Sequence, residues 1–320
     1  MAGNSTEINV RGKWTKVPAL ELNGKNLIVT GRWLKVASIH DEDWLEVGVA
    51  DPESYINRLR DEAWSLPADV FTFAQRLPDS TPRYQYPIEW DNVAAIRLTN
   101  GRDCWEKNLP QETRKNIRRS AKRGVVTRTT ELNDELISGI ERINNESPIR
   151  QGRQFYHYGK DSHVVRRDYS TFLDRSEFIG AYYGDELIGL LRLVHMGQVT
   201  AVLEFLSKSS HYDKRPTNAL LAKAVDQCLA KGSAYLIYGK YRYGNNRKSA
   251  LTEFKRRNGF EELPVPRYFV PLTARGKVCV ACKLYRDLAG IIPGPLIYPL
   301  LSLRRLWYQR RLTQAGVAQG

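Results

Sequence analysis

The alternation of apolar and polar positions is clearest from Phe178 onward. FIGAYY, a break at Gly184 and Asp185, and LIGLLRLV read as two strands joined by a tight turn with glycine first. VTAVLEFL, after HMGQ, is a third β-rich run, so the three predict an antiparallel meander. The period then changes. Leu220, Leu221, Ala224, Val225, Cys228 and Leu229 mark one face of a helix that starts near Pro216 and stops at Gly232. AYLIY follows as a strand and completes a β-α-β crossover. Ser249 caps a further helix, ALTEFKRRN, closed by Gly259 ahead of the strand PRYFVPL. This half reads β-β-β-α-β-α-β. The first third mixes short apolar runs such as NLIVTGRWLKVAS with prolines around Leu77, Pro78, Pro82 and Pro87, and predicts mixed α/β structure. Between the two, Asn108 as cap, Pro110 in the first turn and Gly124 as left-handed terminator predict a basic helix, NLPQETRKNIRRSAKRG, turned about Ile117 and Ala121.

Composition narrows the class. The 320 residues contain 42% hydrophobic and 26% charged side chains, with a mean hydropathy of -0.47, which excludes a polytopic membrane protein and a disordered chain. Lys and Arg number 49 against 35 acids, a formal charge of +14, so an anionic partner is expected: phosphate, nucleic acid or a membrane surface. Seven of those cations and no acid lie between Arg114 and Arg128. Arg114, Arg118, Arg119 and Lys122 recur at helical spacing, where like charges cost about 0.2 to 0.5 kcal/mol per pair unless solvent or a bound anion screens them.

The start, MAGNSTEINVRGKW, has neither a cationic nor an apolar leader region, so the expected location is cytoplasmic. Four cysteines in this length suit a reducing compartment, and the Cys279/Cys282 pair lacks a second half, so no metal site is expected. No GxGxxG, GxxxxGK[ST] or GxSxG occurs. From Leu288 to Leu303 there is no charge, but Pro293, Pro295 and Pro299 interrupt the run, and it falls short of a bilayer span. Arg286, Arg304, Arg305, Arg310 and Arg311, with Tyr298, Trp307 and Tyr308, give it the rim of a segment lying among lipid headgroups, so the tail is read as peripheral on the inner face of the cytoplasmic membrane. The alternative is a tail folded back onto the domain or into a dimer interface.

The element order resembles the core of a GNAT acyltransferase, and individual segments go further. LPQETRKNIRRSAKRGV resembles the basic helix that joins the halves of Fem-type aminoacyltransferases and of the tandem-GNAT acyltransferases of polysaccharide gene clusters. RPTNALLAKAVDQCLAKG and LTEFKRRNGF resemble the helix and closing segment of their second GNAT domain; NNESPIRQGRQFYHYGKD and FIGAYYGDELIG are similar as well. The resemblance covers most of residues 90 to 273. It implies a tandem GNAT-like α/β fold with a mixed sheet flanked by helices: a degenerate first half over 1–128, a GNAT domain over 129–273 and a cationic apolar tail over 274–320. It also implies an enzyme that moves an acyl or aminoacyl group to an amine or hydroxyl. The GNAT pyrophosphate turn, Arg/Gln-x-x-Gly-x-Gly/Ala, is replaced here by Arg215, Pro216, Thr217, Asn218 and Ala219 without its glycine, which puts CoA in doubt although a helix N-terminus still favours an anion.

Acyl transfer needs a base for the acceptor, donors for the oxyanion and a proton for the leaving group. Glu204 is the sole acid in VTAVLEFL, on the strand face with Thr200, Val202 and Leu206, where desolvation raises its pKa toward that of a base. A structural pairing with Arg192 is the competing use. After the crossover strand, Lys240 and Arg242 alternate with Tyr241 and Tyr243; Tyr241 is a candidate acid and Lys240 a donor-binding cation. Arg150, Arg153, Tyr156, Tyr158 and Lys160, with His157 as a candidate base, crowd into a glycine-flanked loop suited to sugar or lipid phosphate. The expected reaction takes an acyl group from acyl-CoA or a similar thioester, with no tightly bound cofactor, to a glycan or lipid-linked cell-envelope precursor. The alternatives are an aminoacyl-tRNA donor lying along the Arg114 to Arg128 helix, and a non-catalytic membrane-peripheral or nucleic-acid-binding protein. No recognition helix or zinc signature supports a DNA reader.

Overall fold

The computed structural model describes residues 5–10, 13–150, 153–243 and 249–285. Strands β1 (Ser5–Val10), β2 (Lys13–Leu22), β3 (Lys25–Thr30) and β4 (Val36–Ile39) lead into α1 (Pro52–Asp61) and β5 (Val70–Ala74). Next come β6 (Ile88–Arg97), α2 (Gly101–Asn108), α3 (Gln111–Lys122), β7 (Val125–Thr130) and α4 (Asp134–Asn144). A two-rung hairpin, β8 (Ile149–Arg150) and β9 (Arg153–Gln154), precedes α5 (Ser162–Tyr169). The meander follows as β10 (Ser176–Tyr183), β11 (Glu186–Met196) and β12 (Val199–Ser207). Last are α6 (Pro216–Ala230), β13 (Tyr235–Lys240), α7 (Ala250–Arg257), β14 (Glu261–Pro271) and α8 (Ala274–Ala281).

All strands except β8 and β9 form one mixed sheet in the order β1-β2-β3-β4-β5-β14-β6-β13-β12-β11-β10-β7. Two parallel pairs, β4 with β5 and β12 with β13, are each bridged by a crossover helix, α1 or α6. The chain thus repeats one plan twice. The halves then exchange strands: β14, from the end of the chain, pairs with both β5 and β6, and β6 pairs with β13. One face carries α1, α2, α3, α6 and α7, and the other α4, α5 and α8. Burial from both sides explains why β10 and β11 are nearly continuous apolar runs.

The β-β-β-α-β-α-β order is present, with its predicted punctuation. Gly184 at φ 58°, Gly232 at φ 73° and Gly259 at φ 84° take left-handed positions after their elements, and the Ser249 side chain accepts from the Thr252 N–H. Two expectations around the basic helix need correction. Asn108 ends α2 and does not cap α3, whose cap position falls on Pro110. The buried stripe of α3 is Thr113, Ile117 and Ser120, not Ile117 and Ala121, because α3 packs on α6 and joins α7 through the Thr113 hydroxyl, which donates to the Arg257 carbonyl at 2.9 Å. Cys279 is buried on the inner side of α8 and Cys282 is exposed; no cluster of metal-ligating side chains occurs among the described residues. The tail from Arg286 lies outside those residues.

Candidate active site

Strands β12 and β13 pair over three rungs only, Val199 with Tyr235, Thr200 with Leu236 and Ala201 with Ile237, and then part. The sheet therefore opens beside Val202 to Ser207. The aromatic rings of Phe205, Tyr238, Phe254 and Phe260 stand along the opening, with Phe205 5.6 Å from Phe254 and 6.0 Å from Tyr238.

At the mouth of this split β12 carries a bulge. Arg192 faces Glu204, but the next rung joins Leu193 to Val202, so Leu203 is an extra residue. The bulge overturns the simple alternation. Thr200 and Val202 face α6, where the Thr200 hydroxyl meets Ser233 and Val202 joins the α6 core, whereas Glu204 and Leu206 turn to the opposite face, toward α4 and α5. There burial pushes the Glu204 carboxyl up to about 7, against the pull of Arg192 and Lys160 and with the help of the Asp168 charge. Its carboxylate has no hydrogen bond or ion pair among the described residues. Arg192, wholly buried, donates instead to Thr171 and Ser176 and keeps one Nη without a partner. A structural Glu204–Arg192 bridge is not formed.

Around Glu204 the α4–α5 loop contributes in unequal ways. Tyr156 is 60% exposed, and its phenol is pushed up to about 12 by burial of its hydroxyl end and by the Glu204 and Asp168 charges. The His157 ring lies tilted against it, centroids 3.9 Å apart, and is held down to about 4 by burial and neighbouring cations, so it is neutral near pH 7. Lys160 pairs with Asp168 at 2.7 Å, nearly out of solvent. Tyr158 is exposed. Arg150 donates to the Ser207 and Ile143 carbonyls and covers the Phe155 ring, which makes it a strut between α4 and the end of β12. The Arg153 side chain lies outside the described residues.

On the other side of the split, Tyr241 is turned away. Its N–H donates to the Asn92 carbonyl, and its charged neighbours are Arg256, Glu262 and Glu253. Tyr238, not Tyr241, is the phenol beside the split: burial and the charges of Tyr243 and Glu204 hold it protonated. Lys240 is paired with Asp91 at 3.1 Å and Arg242 with Glu262, because β13 ends at Lys240 and the strand alternation ends with it. Sequence reading passed over Lys255, one of three cations in FKRRN. It is completely buried on the Thr252–Lys255–Asn258 stripe of α7, donates to the Lys240 carbonyl at 2.6 Å and lies against the rings of Tyr238 and Tyr243. Burial lowers it to about 8. That inward stripe, next to Phe254, was its only signal.

Two cavities flank the opening. The first, about 530 Å³, lies at the start of α6 and is lined by Arg215, Thr217 and Asn218, by Thr113 and Asn116 of α3, and by Arg256 of α7 among others. Pro216 is buried beneath it against Gly189. Of the α3 cations, Arg118 and Arg119 pair with Glu106 and Glu112 at 3.8 and 3.6 Å, while Arg114 and Lys122 have no partner among the described residues. The second cavity, about 340 Å³, opens on the opposite face over Val93, Val202, Leu203, Tyr238, Val265 and Tyr243. Its charged wall is a relay in which Arg267 donates to Glu42 at 2.9 Å and to Asp91 at 2.6 Å, and Asp91 takes Lys240. The first half has no counterpart to the α6 start: Asp51 caps α1 with its own carboxylate, Glu53 follows, and Tyr55, Phe71 and Phe73 stack beneath. The first turn of α6, unlike that of α1, carries no acid to oppose an anion, although Glu112 of α3 also lines the cavity.

Solved structures of a Fem protein and of lysylphosphatidylglycerol-synthetase domains share this architecture. FemX superimposes with a TM-score of 0.56 at 10% identity, over 83% of this chain and 88% of that one. L-PGS from Bacillus licheniformis gives 0.51 at 9% identity, over 84% and 90%. The C-terminal domain assigned to a lysylphosphatidylglycerol synthetase of Agrobacterium fabrum gives 0.51 at 12% identity, over 88% of each chain. At such identities the likeness establishes the fold. No family model and no curated protein matches the sequence.

Proposed function

We propose that the protein is an acyltransferase in which a phosphate-bearing donor lies at the start of α6, reaches through the split between β12 and β13, and meets an amine or hydroxyl acceptor in the cavity of the opposite face. The observation that carries this reading is the opening of the sheet after Ala201 and Ile237, beside a desolvated, unpaired Glu204. Glu204 takes the proton of the acceptor N–H or O–H as that atom attacks the acyl carbon. The bond to the leaving sulfur or oxygen breaks, and the phenol of Tyr238 returns a proton to it. Lys255 supplies positive potential in the split for the oxyanion formed between these steps. Tyr156 and Lys160 stand beside Glu204, outside the lining of the acceptor cavity; Arg215, Thr217 and Asn218 hold the donor phosphates.

Acyl-CoA is the first donor in this reading, and the fold's occurrence in FemX and L-PGS favours a cell-envelope acceptor. Aminoacyl-tRNA is the second, supported by the missing glycine at Arg215 to Ala219 and by Arg114 and Lys122, unpaired among the described residues, on α3, whose first turns line the donor cavity. Melting the protein against a panel of acyl-CoAs and charged tRNAs separates them. A tRNA acts through several phosphates and its effect collapses with salt, whereas stabilisation by CoA is less sensitive. If saturating ligand of neither class raises the melting temperature, the transferase reading fails.

A further inference from the structure

We infer that the outer face of α8, together with Trp33, is the surface on which the protein lies against an anionic lipid bilayer. Trp33 is 59% exposed, Val278 60% and Leu284 46%. They belong to one patch: the Trp33 carbonyl accepts from Arg275 in the first turn of α8, Val278 lies one turn further on, and the Leu284 N–H closes back onto the Cys279 carbonyl. The inner side of the same helix is fixed on the sheet, with Cys279 and Val280 packed against Val70 and Phe269. Cations ring the apolar group. Arg32 and Lys277 have no acidic partner among the described residues, whereas Arg275 and Lys283 hold distant contacts of 3.8 Å to Asp69 and 4.0 Å to Glu89. Apolar side chains framed by Lys and Arg match the interface of an anionic membrane in both hydrophobicity and charge.

Two further observations select a bilayer as the occupant. The sequence immediately after this patch continues the same chemistry: an uncharged run from Leu288 to Leu303 between Arg286 and the pairs Arg304, Arg305 and Arg310, Arg311. No helix of the described residues is long and apolar enough to cross a membrane. The patch is also placed for use. Tyr285, stacked on Phe269 at 4.1 Å, donates to Glu89 at 2.7 Å, and Glu89 stands two residues along β6 from Asp91, which lines the second cavity. The inference rests on the reading that the acceptor enters from that face, and it makes the acceptor lipid-linked.

The test is co-sedimentation of the full chain with vesicles of phosphatidylcholine with and without phosphatidylglycerol, at low and high salt. The expected result is binding to the anionic vesicles at least about tenfold above the neutral ones, reduced by salt. Lys277→Glu and Val278→Glu, at exposed positions, each lower it several-fold or more without changing the melting temperature. Absence of binding to anionic vesicles overturns the inference, as does unchanged binding of both variants. Loss of binding in Arg114→Glu instead would assign the membrane contact to α3 and overturn it as well. A fall in melting temperature in Val278→Glu with vesicle binding intact would mean that the chain's own tail or a second copy covers the patch. Glu204→Gln binds vesicles like the parent, so a failed transferase reading and a failed membrane reading give different results.

Discussion

Replacing Glu204 by glutamine keeps the outline of the side chain and removes its charge, so stability and turnover are expected to move in opposite directions. Burial lifts the carboxyl from 4.5 to about 7, which corresponds to roughly 3 kcal/mol at about 1.4 kcal/mol per tenfold in proton affinity. Because the folded state holds this proton more tightly than the unfolded chain, the parent loses stability as pH rises from the ordinary carboxyl value through the folded one, and stays lower above it. Glutamine has no charge to bury. At about pH 8 the variant is therefore more stable by up to roughly 3 kcal/mol, a few degrees in melting temperature for a chain of this size, and the two curves converge below about pH 4.5. Turnover falls by about 10² to 10⁴, the usual contribution of a positioned base. Thiol release from the donor that stabilises the protein, or deacylation of the charged tRNA, reads turnover, and a pH series of thermal melts reads stability. In the parent, kcat/KM rises with pH through about 7 as the carboxyl ionises. A variant that retains activity, or one destabilised equally at every pH, refutes the assignment.

Lys160→Met leaves the buried Asp168 with only the 3.7 Å contact to Arg167 and is expected to cost up to about 3 kcal/mol; it also removes a charge that holds the Glu204 carboxyl down, so the rising limb of the pH–rate profile moves to higher pH. Gly189→Ala sets a methyl 3.0 Å from the Leu220 side chain and 3.2 Å from the Leu206 carbonyl. Leu220 of α6 or the β12 backbone must give by a few tenths of an ångström, with an expected stability cost of about 1 to 3 kcal/mol and weaker donor binding, both read by thermal shift. Glu177 is held below the usual carboxylate range by its hydrogen bond to His195, assisted by Gln227. Its stabilisation is present above the ordinary carboxyl value and disappears as pH falls through the depressed one, so acid melts of the parent decline more steeply below about pH 4.5 than those of Glu177→Gln.

The second half of the fold was legible because its strands and helices change period sharply, from two at β10 to β12 to 3.6 at α6, with glycine or serine at each joint. The first half was not: β3, β4 and β5 have only six, four and five residues, and β5 is completed by a strand nearly two hundred residues away, a pairing that local pattern does not carry. Glu204 was found by its isolation in an apolar run, but its face was misread, since the extra residue at Leu203 carries no glycine to announce a bulge. Tyr241 and Tyr238 are equally plausible phenols in sequence; only the end of β13 at Lys240 separates the one beside the split from the one behind it. Charge counting likewise cannot tell the buried Lys255 from the exposed Arg256 and Arg257.

Exchange of β6 and β14 bears on how the molecule comes into being. Until the ribosome has delivered residues 261–271, β5 and β6 each lack a neighbour, and the nascent first half presents two bare edges to anything able to pair with them. Closure awaits the last strand, so assembly is governed by distant contacts and is completed only once β14 has been made. Overproduced protein should consequently gain more from chaperones and reduced temperature than from dividing the gene at the midpoint, which would strand both edges permanently.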